Sequence, residues 1–456
     1  MASWLHDPKY WKKADWTSAA FIFCLLMLYP LMNGFPFMYY DSWTYACGLC
    51  RPTIRSPILG CAMRPVILIA GPWGYVIVQT AVLSFCFIFI SRYIFGNVRL
   101  RVLFFSIVFT CVGLFSGWLM ADIWTLIGLF SLFAILTGYG SPIISILMIF
   151  SLAVHYGNFP IYLGVAIVFW LIVRNSRKSM ILVFLYLLCG IMIIASVNFA
   201  MKGNFRFGSR FSFSFIASRI LYDIPEIIEE KCQDDPSFKL CAIKSDMLAA
   251  RGKQHSEMMW YMFKRDDISM AEFEPLAKEL VIYSLSRFPL RHMVALVKNT
   301  FSQLSYFHMD DFYPLLDDSY ALKHLENNFP EYHNSYHNSL QAEGYLSKAL
   351  TRLEVPLNIL YWVAMLVCLV SVSIGWKNLR DDMQLQMALF ALIAVIVNAF
   401  FMSNLSGVLS RFQARIVYVP MFAALVIISR WVDLLKSHYQ RQISAIHSQI
   451  KRFLGE

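Results

Sequence analysis

One long stretch of this chain, from Trp16 to Tyr222, limits the possible folds more than any other feature. It contains only two carboxylates, Asp41 and Asp122, and no glutamate, within a series of apolar segments separated by short polar turns. A charged side chain in or near a lipid bilayer is costly unless it has a partner or a function. The two isolated acids are therefore candidates for one site, provided that they face the same compartment.

The composition predicts an all-α, polytopic membrane protein. Of the 456 residues, 58% are hydrophobic and only 15% are charged, and the mean hydropathy is +0.55. A soluble domain carries about 25% charged residues. The first apolar run follows a polar segment without the small-residue cleavage site of a secretory signal, so we expect it to be retained as a membrane helix. Hydropathy predicts about ten transmembrane helices, near residues 17–34, 66–90, 102–117, 123–138, 142–157, 159–173, 180–199, 356–375, 385–402 and 416–433.

A polar segment, residues 200–352, interrupts this series between the seventh and eighth predicted spans. It divides the chain into an N-terminal transmembrane module (1–199), an external domain (200–352) and a C-terminal transmembrane module (353–456). Acidic and basic residues nearly balance in the external domain, and apolar residues recur at helical spacing in 270–287 and 290–307, so we predict a helical cap on the membrane. The net charge of +10 thus reflects membrane topology. No basic patch with interleaved aromatic residues occurs, which argues against nucleic acid as a partner.

The basic residues outside that segment predict the orientation of the chain. Most of them cluster in alternate connections and in the C-terminal tail, which by the positive-inside rule places both termini in the cytoplasm. The remaining basic residues are all arginines in short external connections, and the two isolated acids and one histidine fall on the same side. This external set comprises Asp41, Arg51, Arg55, Arg64, Asp122, His155, Arg411 and Arg415.

Arginine without lysine in these connections indicates anion binding. The planar guanidinium group suits phosphate or pyrophosphate. The alternative is that each arginine reaches a lipid headgroup. The two acids also have structural alternatives, since Asp41 precedes Ser42 and is suited to cap a helix, and Asp122 is suited to a stabilising ion pair. His155 is a weaker candidate for proton transfer or phosphate contact.

The chain contains ten cysteines, of which two pairs are of interest. Cys232 and Cys241 lie in the external segment, where an oxidising compartment favours a disulfide. Cys47 and Cys50 have the spacing of a redox motif without its fold, and we interpret them as a second disulfide or as two free thiols.

The first external connection resembles that of the GT-C glycosyltransferases. The likeness is carried by Met38-Tyr-Tyr-Asp-Ser-Trp-Thr-Tyr45, followed by Arg51 and by Arg64-Pro65. A late external sequence, Ser410-Arg-Phe-Gln-Ala-Arg415 followed by Tyr418 and Pro420, is similar to the segment that holds the carrier phosphate in that superfamily. The external segment also resembles bacterial polytopic membrane proteins of the same layout, a likeness that brings no reaction with it.

The resemblance implies a transfer of a sugar from a polyprenyl-phosphate carrier to a glycan, lipid or protein acceptor on the external face of a bacterial inner membrane. It implies Asp41 as the catalytic base or a metal ligand, and Asp122 as a helper. A divalent cation, Mg²⁺ or Mn²⁺, is a possible cofactor, with Asp41 and Asp122 as its ligands. Arg411 or Arg415 is implied in holding the carrier phosphate. The sequence departs from the superfamily in having a single acid, not an acidic pair, in its first connection.

Three other functions remain open. A transporter or flippase of lipid-linked substrates has many spans, but we find no internal repeat of the kind that transporters show. A polysaccharide polymerase or ligase would concentrate its important residues in the large external segment, for example at Arg291 and His292. A structural subunit of a cell-envelope assembly would tolerate the loss of both isolated acids.

Overall fold

A computed structural model describes residues 11–47, 55–110, 112–174, 176–203, 205–209, 211–250, 261–262, 268–305, 307 and 309–454. Within these ranges every regular element is helical, apart from one isolated parallel β-bridge between Phe37 and Trp118. The predicted all-α class is confirmed for this part of the chain.

The α-helices are numbered here in chain order. In the N-terminal half they are α1 (Lys13–Asn33), α2 (Ser42–Cys47), α3 (Pro57–Phe95), α4 (Leu100–Val108), α5 (Val112–Ser116), α6 (Asp122–Leu136), α7 (Pro142–Val154), α8 (Asn158–Val173) and α9 (Arg177–Lys202). The polar segment contributes α10 (Ser212–Asp223), α11 (Glu226–Asp234), α12 (Lys244–Ala249), α13 (Met270–Arg287), α14 (Pro289–Ser305), α15 (Tyr320–Asn328) and α16 (Pro330–His337). The C-terminal part contains α17 (Tyr345–Gly375), α18 (Met383–Leu405), α19 (Ser410–Ala414) and α20 (Tyr418–Leu454).

Six helices in the described ranges are long and apolar enough to cross a membrane, and a seventh span is possible if the bent pair α13–α14 counts as one. The six correspond to α1, α3, α9, α17, α18 and the helical stretch that ends in α20. The other four predicted spans fall on short helices, α4 with α5, and α6, α7 and α8. A straight crossing needs about 20 residues, whereas α6, α7 and α8 have 15, 13 and 16. The number of ten crossings is therefore not confirmed.

Helix α3 is broken at Gly71. Gly71 has φ 61° and ψ −165°, and Pro72 follows it. A Cβ atom at Gly71 would lie 2.6 Å from the ring of Tyr332 on α16, so both the backbone conformation and the close contact require glycine here. The residues before the break include the strongly exposed Leu68 and Ile69, whereas the part after it is mostly buried.

Helix α6 lies at the centre of the N-terminal half. All 15 of its residues are buried, including Asp122 at its first position. A helix that is apolar on every side is stable only when other elements surround it, and α3, α7, α8 and α9 pack against α6. The buried helix thus carries one isolated carboxylate to a fixed place in the protein interior.

The polar segment does not form one unit with one core. Residues of α10 to α13 form a hydrophobic cluster of their own, which includes Ile220, Ile227, Phe273 and Leu280. From Phe307 onward the buried residues of the segment belong to the main core instead. The structure also contains the disulfide between Cys232 and Cys241, which lies at the edge of the smaller cluster. The cap predicted for 200–352 is therefore divided between two cores.

Candidate functional site

Two backbone hydrogen bonds bring the loops of the isolated acids together. The N–H of Phe37 donates to the carbonyl of Gly117 at 2.9 Å, and the N–H of Leu119 donates to the carbonyl of Phe37 at 3.0 Å. This short parallel pairing joins the loop after α1 to the loop before α6. Asp41 follows Phe37 by a few residues, and Asp122 follows Leu119 by a few residues. Both acids therefore lie near the same end of the helices.

Asp41 pairs with two arginines that are far apart in the sequence. Its Oδ2 atom accepts a hydrogen bond from Arg55 and lies 3.7 Å from Nη1 of Arg411. The carboxylate of Asp41 is only 13% exposed, and the side chain of Arg411 only 8%. The two guanidinium groups thus hold the largely buried carboxylate of Asp41 between them.

Asp122 forms a second, more deeply buried pair with Arg415. Nη1 of Arg415 lies 3.4 Å from Oδ1 of Asp122, and the arginine side chain is 0% exposed. The other Nη atom of Arg415 donates to Oδ1 of Asn398 at 3.3 Å, and Asn398 in turn donates to Oε1 of Gln413 at 3.1 Å. Asp122 is also the first residue of α6, where the helix dipole favours a negative charge.

The Arg411 guanidinium is buried and keeps hydrogen-bonding capacity. It lies over the ring of Tyr39 at 4.6 Å, a cation–π contact. Its Nε and Nη1 atoms are buried and have no hydrogen-bond partner among the residues that the structure describes. Buried donors are nearly always satisfied in folded proteins. Nη1 is the atom that lies 3.7 Å from Oδ2 of Asp41, so among the described residues this guanidinium has an ion pair without a hydrogen bond and can still donate to an anionic oxygen.

Burial also defines the protonation state of Tyr39. It raises the pKa of Tyr39 to about 12, against the opposing effect of the Arg411 cation. The phenol is consequently protonated at neutral pH. The carboxylate of Asp311, in a 3₁₀ turn of the polar segment, acts electrostatically on both Tyr39 and Arg411.

His155 lies between α7 and α8 in the field of the same arginines. Burial, together with the positive charges of Arg415, Arg55 and Arg411, lowers the pKa of His155 well below its ordinary value of 6.5. The ring is therefore neutral at pH 7. Its Nδ1 atom accepts a hydrogen bond from the N–H of Gly157 at 3.1 Å, which leaves the proton on Nε2. Nε2–H is thus a neutral donor beside three cationic groups.

A cavity of about 430 Å³ opens beside this cluster. Arg55, His155 and Tyr45 contribute polar atoms to its wall, and the rest is mostly apolar or aromatic, with Phe159, Phe207, Phe215, Ile216, Met402, Leu405 and Phe412. Sites for small molecules are typically apolar clefts of this size with a few convergent polar groups. Asp41 is not in the wall itself, but it bonds to Arg55, which is.

Two glutamines of the polar segment hold the loops of the cluster. The side-chain amide of Gln341 accepts from the N–H of Met38 at 3.0 Å and donates to its carbonyl at 2.7 Å. Gln303 binds Leu409 in the same way, at 2.9 and 2.8 Å. Each glutamine amide satisfies both the N–H and the carbonyl of one residue, as the backbone of a neighbouring strand would in a sheet. Met38 precedes Asp41 by three residues, and Leu409 precedes Arg411 by two.

The remaining predicted site residues are placed as follows. Arg64 lies half-buried on α3, one turn after Cys61, and the ion pairs of Asp41 and Asp122 given above do not involve it. Arg51 and Cys50 lie outside the described residues, as does the side chain of Cys47. Four of the arginines that the sequence predicts for the site lie in the described ranges. Three of them, Arg55, Arg411 and Arg415, form ion pairs with the acids in the structure.

The described residues do not fit the divalent cation that the resemblance implied. No group of three or more His, Cys, Asp or Glu side chains in these ranges is placed to hold a metal ion. Mg²⁺ and Mn²⁺ need several oxygen ligands, whereas Asp41 and Asp122 each pair with arginine. Three guanidinium groups around the two carboxylates also oppose a further positive charge.

The sequence predicted no site role for the residues that support the cluster. Asp311, Asn398, Gln413 and the two glutamines contact the arginines or their loops. Gln413 lies within the segment Ser410–Arg415, of which only the two arginines were predicted for the site. Asp311 is one acid among many in the polar segment. Asn398 had the clearest available signal, because it is an amide in an apolar predicted span.

No protein-family model, curated protein or solved structure matches the chain. The site is therefore interpreted from its own geometry.

Proposed function

We propose that this protein is an integral-membrane glycosyltransferase that moves a sugar from a polyprenyl-phosphate carrier to a hydroxyl of a glycan, lipid or protein acceptor. The observation that carries the proposal is the buried Arg411, whose Nε–H and Nη1–H form no hydrogen bond with the described residues although Nη1 lies 3.7 Å from Asp41. Arg55 and the neutral His155 add donors at the wall of the adjacent cavity. An arginine cluster beside an apolar cavity suits a ligand that is anionic at one end and hydrocarbon at the other.

The arrangement of Asp41 suggests how the reaction would start. In the described structure its carboxylate is held by Arg55 and Arg411. A bound phosphate would compete for the same two guanidinium groups and so release the carboxylate toward the acceptor. Asp41 would then take the proton of the acceptor hydroxyl as its oxygen forms a bond to the anomeric carbon.

The bond between the anomeric carbon and the carrier phosphate breaks in the same step. The electron pair leaves with the phosphate oxygen, whose new charge Arg411 stabilises. A single displacement of this kind inverts the anomeric configuration. In this mechanism Asp122 and Arg415 fix the start of α6 relative to the Arg411 loop. They do not contact the reacting atoms.

The proposed location is a bacterial inner membrane with both termini in the cytoplasm. The proposal is supported by the distribution of Lys and Arg over the connections. Six long apolar helices in the described ranges also keep the two termini on one side, provided that the bent pair α13–α14 does not cross as a seventh span. Membrane lipid and the lipid-linked donor are the proposed partners.

The polymerase or ligase alternative has less support. Arg291 is exposed and pairs with Glu226, and His292 is buried against Ser284 at 2.6 Å. Both residues therefore have partners on the smaller core, away from the acids.

The phosphate-binding step can be tested first. We expect Arg411→Gln to weaken binding of a polyprenyl phosphate by about 10- to 100-fold, because a hydrogen bond to a charged group contributes about 1.5–3 kcal/mol. Binding would be measured by calorimetry on the purified, lipid-reconstituted protein. Arg291→Gln is the matched control, an arginine with an exposed ion pair, and we expect it to bind as the wild type does. Equal binding by Arg411→Gln would refute the phosphate site.

Turnover tests the role of Asp41 separately. With radiolabelled polyprenyl-phosphate sugars and a panel of acceptors, we expect Asp41→Asn to keep donor binding and to lose a factor of about 10² to 10⁴ in rate, the usual contribution of a general base. Full turnover by Asp41→Asn would remove Asp41 as the base. Movement of the lipid across the vesicle membrane by the wild type, without any sugar transfer, would favour a flippase.

A further inference from the structure

Helix α14 has its polar and apolar faces reversed relative to a helix of a water-soluble cap. The residues that it buries are His292, Ala295, Asn299 and Gln303, three of which are polar. The residues that it exposes are mostly large and apolar: Leu290 (75% exposed), Met293 (62%), Val294 (68%), Val297 (58%) and Phe301 (67%). Two basic residues, Arg291 and Lys298, are exposed among them, and their long side chains can carry the charge from an apolar surface to the lipid phosphates. A helix on the surface of a water-soluble domain has the opposite arrangement.

The buried polar side chains have specific partners, so the orientation of α14 is well determined. His292 bonds to Ser284 Oγ at 2.6 Å, Asn299 donates to Asp223 at 2.8 Å, and Gln303 binds both backbone groups of Leu409. Rotation of α14 to hide its apolar face would break all of these bonds. The exposed apolar face is therefore a consequence of the fold.

The apolar face of α14 continues that of a membrane-spanning helix. Helix α14 packs along α18, and Asn404 of α18 donates to Leu296 and Thr300 of α14, each at 3.3 Å. Helix α18 is long and apolar enough to span, and its residues Ile396, Phe400 and Leu405 are exposed. Exposed apolar side chains thus occur on both of these packed helices near the end of α18.

Neighbouring residues also fit a lipid boundary. Ile282 and Leu285 at the end of α13 are more than half exposed, and α13 and α14 meet at a bend of 103°. Arg287 and Arg291 flank this bend with side chains 62% and 56% exposed. Long basic side chains beside an apolar surface typically reach the lipid phosphates.

We propose that α14 lies in the bilayer, with the hydrocarbon of the leaflet that surrounds the Leu405 end of α18 covering Leu290, Val294, Val297 and Phe301. The sequence predicts this helix in a cap outside the membrane, whereas the proposal places one face of the polar segment against lipid. It does not depend on the proposed glycosyl transfer. It places lipid on one side of α14. The other side of α14 holds the Arg411 loop through Gln303.

Photocrosslinking tests the proposal and identifies what covers the surface. The photoreactive amino acid p-benzoylphenylalanine would replace Val297, Phe301 or, as a third position, Val294 in the full chain, reconstituted in vesicles of phosphatidylethanolamine and phosphatidylglycerol. After irradiation, intact-mass spectrometry detects lipid adducts. The matched control is the same amino acid at Gln233, an exposed position on the polar helix α11.

We expect lipid adducts at positions 294, 297 and 301 and none at position 233. A crosslinked dimer from the α14 positions would show that a second copy covers this face and would overturn the proposal. The absence of both products at all three positions, as at position 233, would show contact with water and would overturn it equally. Because the readout is covalent lipid attachment, a failure here is distinguishable from a failure of the glycosyltransferase proposal.

Discussion

Charge and burial act together on the few ionisable side chains of the candidate site. Asp122 and Arg415 form a nearly inaccessible pair, whereas Asp41 lies between Arg411 and Arg55, and Arg55 lines a cavity. The burial of the Asp122–Arg415 pair suits a structural role, since removing one partner would leave an uncompensated buried charge. The second group retains some exposure, which suits a role in ligand binding. The two acids are equally isolated in the sequence, but they differ in burial and in the arginines that they contact.

The lowered pKa of His155 makes the stability of the protein depend on pH. Because its pKa is lowered in the folded protein, the unfolded chain binds the proton first as the pH falls below about 6.5. The free energy of unfolding therefore decreases below that pH, by up to about 1.4 kcal/mol per pH unit. We expect the thermal midpoint of the wild type to fall more between pH 7.5 and 5.5 than that of His155→Gln. The control is His337→Gln, at an exposed position, and equal pH dependence of wild type and His155→Gln would contradict the assignment.

Connections between elements depend on a few long-range amide contacts. Gln303 of α14 and Gln341, after α16, each satisfy the N–H and the carbonyl of one residue in a site loop. Both glutamines are fully buried. The polar segment therefore positions both halves of the ion-pair cluster, the Asp41 loop through Met38 and the Arg411 loop through Leu409.

Substitution of Gln303 tests this linkage. We expect Gln303→Leu to reduce the free energy of unfolding by about 1–3 kcal/mol, because the two backbone groups of Leu409 lose their partner. Gln303→Glu keeps an acceptor for the N–H and should retain part of the stability. Thermal unfolding in detergent measures both, with Gln233→Leu, at an exposed position on α11, as the control. A wild-type midpoint for Gln303→Leu would show that the loop is held by other contacts.

The whole molecule combines a large membrane core with a smaller core built from α10 to α13. The disulfide between Cys232 and Cys241 closes a short loop beside the smaller core, at a sequence separation of 9 residues. Buried residues from Phe307 onward belong to the large core. Loss of structure in the smaller core is consequently expected to leave the larger one intact.

Reduction of the disulfide tests this division. Closure of a loop of this length stabilises the folded state by about 2–3 kcal/mol. We expect reduction, or the variant Cys232→Ser with Cys241→Ser, to accelerate amide hydrogen exchange in α10, α11 and α13. Exchange in α6 and α18 should remain unchanged, and these helices provide the internal control. Faster exchange across both cores would show that they unfold as one unit.

Hydropathy and the scarcity of acids determined the membrane class of this protein and drew attention to Asp41, Asp122, Arg411 and Arg415. These inferences succeed because the cost of placing a charge near lipid is a local property of each residue. The six long apolar helices correspond to six of the predicted spans for the same reason. The short helices α6, α7 and α8 are not confirmed as crossings, and hydropathy by itself does not distinguish burial in protein from burial in lipid.

Only the tertiary structure decided which arginine pairs with which acid, how Gln303 and Gln341 hold the loops, and which face of α14 is exposed. These contacts join residues as far apart in the chain as Asp41 and Arg411. Their geometry results from the packing of whole helices, and no local pattern encodes it. The inward polar face of α14 is an example, because the sequence alone shows an amphipathic helix, and only its hydrogen bonds to Ser284, Asp223 and Leu409 show which side meets the protein.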